Sequence, residues 1–255
     1  MLTTQRKRFI LDVLQREGQV VAKDLSRELN LSEDTIRRDL RELAAEGLLQ
    51  RVHGGALSAS PALGDFHARL NVATDEKQAI GRAAARMVQP NQVVILDGGT
   101  TSVQLARHLP LALRATIVTH SPSVAVELSN HRELEVILIG GKLFKHSVVS
   151  IGAAAIEAIS QVRADFYFMG VTGIHPQYGV TTGDYEEAHV KRALSGSAAE
   201  TIVLASSEKL NAVSPHQIAP VSEVTGMIVD ASVKSKLLAP FARAGLTITK
   251  ASSSA

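Results

Sequence analysis

"TIRRDLRELAAEGLLQRVHGGA" occupies residues 35–56, and its reading decides the fold of the first domain. On a helix of 3.6 residues per turn, Ile36, Leu40 and Leu43 form one apolar stripe. Arg38 and Arg41 then project from the opposite side, with Thr35 and Arg37 on the two shoulders. Ser32 is a good N-cap for this helix, which runs to about Glu46 before Gly47 closes it. Arg51 and His53 follow on a short ribbon, where Gly54-Gly55 permits a tight turn and a close backbone approach.

Upstream, Phe9, Ile10, Val13 and Leu14 keep helical spacing until Glu17-Gly18 stops the first helix. A second short helix spans roughly Ala22 to Leu29, and Asn30-Leu31-Ser32 is a tight turn. Three short helices and a hairpin within 57 residues predict a winged helix-turn-helix. The second helix of such a motif enters the major groove with its N-terminal half, so Arg37, Arg38 and Arg41 would meet base edges and phosphates. A planar guanidinium can grip guanine O6 and N7 together, worth about 1–3 kcal/mol of discrimination. The amides behind Ser32 could take a phosphate at the positive helix end. Arg51 and His53 would touch phosphates or the minor groove. The alternative is a solvated face, with the three arginines paired to Asp34, Asp39 and Glu42.

Composition bounds these readings. Residues 1–57 hold 10 Lys/Arg against 9 Asp/Glu, and the whole chain is only +2, so bulk charge does not announce DNA and the case rests on where the arginines point. No stretch approaches the ~18–20 apolar residues of a membrane span. Arg6, Lys7 and Arg8 precede any long apolar run, so no secretory leader is expected and the default location is cytoplasmic. The absence of cysteine excludes disulfides, cysteine-ligated zinc, iron–sulfur clusters and thiol catalysis. No histidine pair has HxH, HxxxH or HExxH spacing, so neither a metal nor a cofactor is expected.

Residues 58–74 lose apolar periodicity, contain Ser, Pro and Gly, and read as a linker. Beyond them, strand candidates at 93–96, 116–119, 134–139, 165–169, 201–205, 226–229 and 246–249 alternate with helical stretches such as 75–88, 101–109 and 185–198. That alternation predicts an α/β domain over 75–250, a parallel-rich sheet with helices on both faces. Residues 251–255 read as a frayed tail.

"LSEDTIRRDLRELAAEGLLQRVHGGA" (31–56) closely resembles the N-terminal signature of DeoR-type bacterial transcriptional regulators. The resemblance continues through "EKQAIGRAAARMV" (76–88), "ILDGGTTSVQLARHL" (95–109), "IGGKLF" (139–144), "DFYFMGVTGI" (165–174), "GVTTGDYEEAHVKRAL" (179–194) and "SEKL" (207–210). It implies a sensor domain similar to ribose-5-phosphate isomerase and glucosamine-6-phosphate deaminase. It also implies repression of sugar-utilisation genes, relieved by a phosphorylated sugar.

"LDGGTTS" (96–102) follows a predicted strand and opens a predicted helix. Gly98 and Gly99 let backbone amides approach an anion, and Thr100, Thr101 and Ser102 offer hydroxyls. The stretch lacks the lysine of a Walker loop and the spacing of a dinucleotide fingerprint. An ordinary strand-to-helix turn is the competing reading. Asp97 could accept hydrogen bonds from sugar hydroxyls, or only cap the turn. Gly140-Gly141-Lys142, the run Gly170–Gly173 with Thr172, Glu186 with Lys191, and Lys209 are expected to converge at the same strand ends. Glu186 and Lys191 lie five apart, so they do not share a helix face as an i,i+4 pair would. Lys209 matches the family's lysine and is the expected phosphate counter-charge. The sequence departs from the family at His120, where Asn is common, and at Ser206, where Asp is common. His120 could donate to an anionic ligand or sit satisfied and partly buried.

The leading expectation is therefore a ligand-responsive regulator of double-stranded operator DNA, answering to a phosphorylated sugar or a related anion, and a homodimer or homotetramer because operators carry repeated half-sites. The alternative is a sugar-phosphate isomerase or deaminase with an added domain. Such chemistry needs a placed carboxylate, yet "GVTGIHPQYGVTT" (170–182) has none before Asp184 and offers only His175 as a substitute. A protein-binding module is a third possibility, which would leave the outward arginines without a partner.

Overall fold

The computed structural model describes residues 2–60 and 64–252. Helix α1 (Thr3–Glu17) ends at Gly18, strand β1 (Gln19–Val21) leads into α2 (Ala22–Leu29), and α3 (Glu33–Ala45) follows the turn at Asn30. Ser32 caps α3, its hydroxyl accepting the Thr35 amide at 3.2 Å. Strands β2 (Leu49–Val52) and β3 (Gly55–Ser58) form the wing, and β3 lies between β1 and β2 in an antiparallel sheet. Gly55 is required where β3 meets β1, since a Cβ there would sit 1.9 Å from the carbonyl oxygen of Val20. Ile10, Val13, Leu14, Leu25, Ile36, Leu40 and Leu43 are buried together, each contributing roughly 1.5–3 kcal/mol. Inside this core the guanidinium of Arg6 grips the Asp39 carboxylate through two nitrogens, one of them at 2.9 Å.

The second body contains α4 (Phe66–Arg69), α5 (Thr74–Ala85), β4 (Val93–Leu96), α6 (Thr100–His108), β5 (Thr116–Thr119), α7 (Pro122–Leu128) and β6 (Glu135–Leu138). The chain continues through β7 (Lys142–Phe144), β8 (Val149–Ile151), α8 (Ala153–Ser160), β9 (Ala164–Gly170), β10 (Gly173–His175), β11 (Gly179–Thr182) and α9 (Tyr185–Gly196). It closes with β12 (Ala198–Ala205), β13 (His216–Ala219), β14 (Gly226–Asp230), α10 (Ser235–Arg243) and β15 (Thr247–Ala251). The main sheet is parallel, in the order β15-β14-β12-β9-β4-β5-β6. Successive residues of β9 serve opposite faces: Tyr167 and Met169 pack with α8, α9 and α10, while Phe168 packs with α5, α6 and α7. Helices thus cover both faces, as the alternation predicts. From β4 the chain builds outward to β5 and β6, then returns to lay β9 on its other side. A crevice opens at that reversal of strand order, at the carboxyl ends of β4 and β9.

The structure differs from expectation in three places. Phe66 is buried in the core of α5 and α6, and its amide donates to the His146 carbonyl at 2.7 Å, so residues 66–69 of the expected linker pack as part of the sensor body. Residues 61–63 of that linker and 253–255 of the expected tail lie outside the described residues. Ala251, assigned to the tail, closes β15 and is buried. The hairpin β7–β8 and the sheet β10-β11-β13 were not expected, because their runs of three or four residues are too short to carry a period of their own.

Candidate functional site

Two surfaces stand out, one on each body. On α3, Arg37, Arg38 and Arg41 are exposed on the side away from Ile36, Leu40 and Leu43. Arg37 reaches back to Glu33 at 2.7 Å, whereas Arg38 and Arg41 have no ion pair or hydrogen bond among the described residues. Asp39, one candidate partner for them, is fully buried and belongs to Arg6. Glu42 lies 3.1 Å from Lys7. Of the pairings in the solvated-face alternative, only the loose 4.0 Å contact of Arg37 with Asp34 is present. Ser32 and Thr35 join hydroxyls at 3.0 Å at the exposed start of α3. Arg51 on β2 and His53 in the wing turn are also exposed. These exposed residues come from one helix and the ribbon that follows it.

The second surface is a cavity of about 510 Å³, counting the space at its mouth, at the crevice between β4 and β9. Gly98, Gly99, Thr100 and Thr101 form one wall, where the first amides of α6 have no intrahelical carbonyl to meet. Gly99 adopts φ 107°, which turns the chain sharply from β4 into α6. The Thr101 hydroxyl is buried without a partner among the described residues. Thr172, Lys191 and Lys209 also line the cavity. The Lys209 ammonium is buried and makes no hydrogen bond there. Burial, with the charges of Lys77, Arg69 and Lys191 and only partial relief from Glu208, lowers its pKa to about 8.

Beneath this wall lies a buried charge cluster. One Asp97 oxygen accepts the Lys191 ammonium and the Gly170 amide at 2.7 Å. The other accepts the Gly98 amide at 2.8 Å and lies 2.8 Å from His120 Nε2. His120 Nδ1 faces the Ser150 carbonyl at 3.0 Å. His120 thus ties the Asp97 carboxylate to the backbone of β8. Burial pushes the Asp97 carboxyl up, but Lys191 and His120 overcome this and hold it well below the usual carboxylate range.

Several expected site residues lie elsewhere. Asp97 and His120 are fully buried under the cavity floor with their hydrogen bonds spent internally, and neither lines the cavity. Ser102 points back toward the Gly98 carbonyl at 3.5 Å and does not line the cavity. Gly140, Gly141 and Lys142 are exposed on the outer hairpin, because β6 is the edge strand and the chain turns away there. Gly173 is held in β10 opposite Thr181. Glu186 faces solvent; Asp184 caps α9 by accepting the Glu187 amide at 2.9 Å, and that register puts Glu187 on the cavity side, four residues before Lys191. His175 ends β10 opposite Gly179, outside this cavity, its Nδ1 accepting the Gln177 amide at 3.1 Å. Ser206 is buried and donates to Glu208 at 2.7 Å, and does not line the cavity itself.

Sequence reading missed Arg69, Lys77, Ser147, Thr182, Glu187 and Glu208, all of which line the cavity. For Lys77 there was a signal. It shares a helix face with Ile80 and Ala84 at i+3 and i+7, and a lysine on an apolar stripe needs an internal role. Its ammonium donates to the Arg69 carbonyl at 2.6 Å. Arg69 itself sits in a four-residue helix too short to show a face, and its terminal nitrogen Nη2 is buried without a partner among the described residues.

Four cationic side chains (Arg69, Lys77, Lys191 and Lys209) line the cavity, against Glu187 and Glu208 in its wall and Asp97 beneath it. The balance is positive by one charge. An outward recognition helix and a cationic cavity at a sheet's switch point together define a ligand-responsive DNA-binding regulator.

Comparison with known proteins agrees. The DeoR-like helix-turn-helix domain matches residues 6–62, and the DeoR C terminal sensor domain matches residues 72–231. The chain belongs to the DeoR family of transcriptional regulators. It is 34% identical to the HTH-type transcriptional repressor GlcR of Bacillus subtilis (strain 168), over 90% of this chain and 89% of that one. It is 30% identical to the HTH-type transcriptional regulator GolR of Listeria innocua, over 97% and 98% of the two chains. It is 32% identical to the glycerol-3-phosphate regulon repressor of Escherichia coli (strain K12), over 91% and 92%. Ribose 5-phosphate isomerase A from Methanocaldococcus jannaschii is 15% identical and covers 52% of each chain at a TM-score of 0.39, too weak a likeness to bear on the site. Among the described residues no helix is long and apolar enough to cross a membrane.

Proposed function

We propose that this regulator is a repressor of carbohydrate-utilisation genes that leaves its operator when a phosphorylated sugar fills the cavity. The supporting observation is the cavity's charge. A phosphate monoester carries about −1.5 to −2 at pH 7, and the lysine and arginine side chains around the cavity outnumber the carboxylates. Lys209, Arg69, Lys77, the Thr101 hydroxyl and the first amides of α6 hold the phosphate. Glu187 and Glu208 accept hydrogen bonds from the sugar hydroxyls. Arg38 and Arg41 read bases, while Arg37, Arg51, His53 and the helix start at Ser32 and Thr35 hold the backbone. The protein works in the cytoplasm as a homodimer or homotetramer on paired half-sites.

The relatives' names fit this reading, since GlcR and the glycerol-3-phosphate regulon protein are called repressors. A thermal-shift screen of phosphorylated sugars tests it, glycerol 3-phosphate included. A ligand at a hundred times its Kd stabilises the native state by about 2.7 kcal/mol. The effective compound should also release bound DNA. If no phosphorylated sugar raises the melting point where the unphosphorylated sugar does, the charge reading of the cavity is wrong.

A further inference from the structure

The cavity wall and the wing are joined by one short path. Thr172 lines the cavity. Its amide and hydroxyl both donate to the Thr181 carbonyl, at 3.2 and 3.1 Å, and its hydroxyl lies 2.6 Å from that of Ser214. Its own carbonyl accepts a hydrogen bond from the hydroxyl of Ser60. Ser60 is buried and lies two residues beyond the end of β3, the central strand of the wing sheet. Between them Ala59 forms an isolated parallel bridge with Val213, the neighbour of Ser214. The other end of the Gly170–Thr172 segment is tied to the charge cluster, its Gly170 amide to Asp97 and its Gly170 carbonyl to Lys191 at 2.9 Å.

We propose that Ser60 is the positioning residue through which an occupied cavity acts on the wing, by its hydrogen bond to the Thr172 carbonyl. The inference rests on the reading of the cavity as an anion site. An anion competing for Lys191 loosens that ammonium's hold on Gly170, and the segment moves as a unit because its far end is fixed to Thr181 and Ser214. The displacement reaches β3 through Ser60. From there the ladder that pairs Ala56 with Arg51 carries it to the wing's outer strand. All four hydroxyl-bearing residues at this joint (Ser60, Thr172, Thr181 and Ser214) are buried. Water therefore cannot readily replace a missing partner, and the joint transmits rather than slips.

The test is hydrogen exchange on the full chain, with saturating inorganic phosphate compared to chloride at equal ionic strength. In the wild type, phosphate should slow exchange at residues 99–101 and change it at residues 56–58 by about fivefold, the lower end of ordinary allosteric coupling. S60A should keep the response at 99–101 and lose most of the response at 56–58, and S60T, which retains the hydroxyl, should restore it. S214A removes a partner of Thr172 without touching the connector and should weaken the wing response, so it decides the matter if S60A does not fold. A full wing response in S60A, or in S214A where S60A is unfolded, overturns the proposal. So does a silent wild-type wing over a protected 99–101. No response at 99–101 instead removes the anion site itself, and the relay with it.

Discussion

Replacing Asp39 by alanine separates the two accounts of the arginine helix. Asp39 stands between Arg38 and Arg41 in the chain, yet it is fully buried and bound through both oxygens to Arg6, which is only 5% exposed. Removing one member of such a pair strands a charge in the core and typically costs about 3–5 kcal/mol. A domain of this length has a total stability of about 3–9 kcal/mol at 0.05–0.15 kcal/mol per residue. D39A should therefore consume about a third of it or more. Since 1 kcal/mol shifts the melting point of so small a domain by roughly 4–8 °C, its helical transition should fall by at least about 12 °C. Circular dichroism would show that transition falling while the melting of the α/β body stays in place. The double replacement R6M/D39L puts apolar groups in the same volume and should recover most of the loss, because apolar substitutes for buried ion pairs are often neutral or better. A D39A protein melting within about 1 kcal/mol of wild type would refute the reasoning. It would mean that Arg6 finds water, and that Asp39 is a surface charge available to Arg38 and Arg41 after all.

Lys209 gives a pH prediction. Its folded pKa is about 8, below the free value of 10.5. The unfolded chain thus binds more protons between those values, and this residue's penalty on folding is full below about 8 and fades as pH rises toward 10.5. An anion in the cavity favours the charged lysine, so phosphate affinity should weaken above about pH 8 and binding there should take up a proton; calorimetry in buffers of different ionisation enthalpy reads this directly. Equal heats in all buffers would exclude Lys209 as the counter-charge. R38A should cost about 1–3 kcal/mol at one operator position and relax the sequence preference. R51A should instead weaken binding evenly and reduce the salt slope by about one. Competition with point-mutated operators at several salt concentrations distinguishes the two, and identical profiles would mean the groove assignment is wrong. G55A must displace β3 from β1, as its Cβ would lie 1.9 Å from a backbone oxygen, so DNA affinity should collapse while phosphate binding to the α/β body persists; unchanged DNA affinity would show that the wing contributes nothing.

Most of the architecture was legible in the residues. Ile36, Leu40 and Leu43 repeat at helical spacing, and that local period alone turns Arg38 and Arg41 outward. Apolar runs such as 93–96 and 116–119 read as strands because a strand buried on both faces has no polar alternation. The "GGTT" wall was legible too, since a strand, two glycines and a helix start are a contiguous local device. Strand order is a different kind of information. It places Gly170 beside Asp97 across 73 positions and leaves Gly140–Lys142 on the far edge, and no local period records either fact. Charge pairing behaves likewise: whether Asp97 and His120 face a ligand or each other depends on what else is buried around them. The register of α9 moved the site carboxylate from Glu186 to Glu187 through the cap at Asp184. Arg69 joined the site only because a stretch with no pattern of its own docks against α5. What a few neighbouring residues impose on the backbone was determined by sequence alone. Which distant side chains meet in the cavity, and which cancel one another's charge, was decided by the packed structure, because electrostatics and burial act through space and not along the chain.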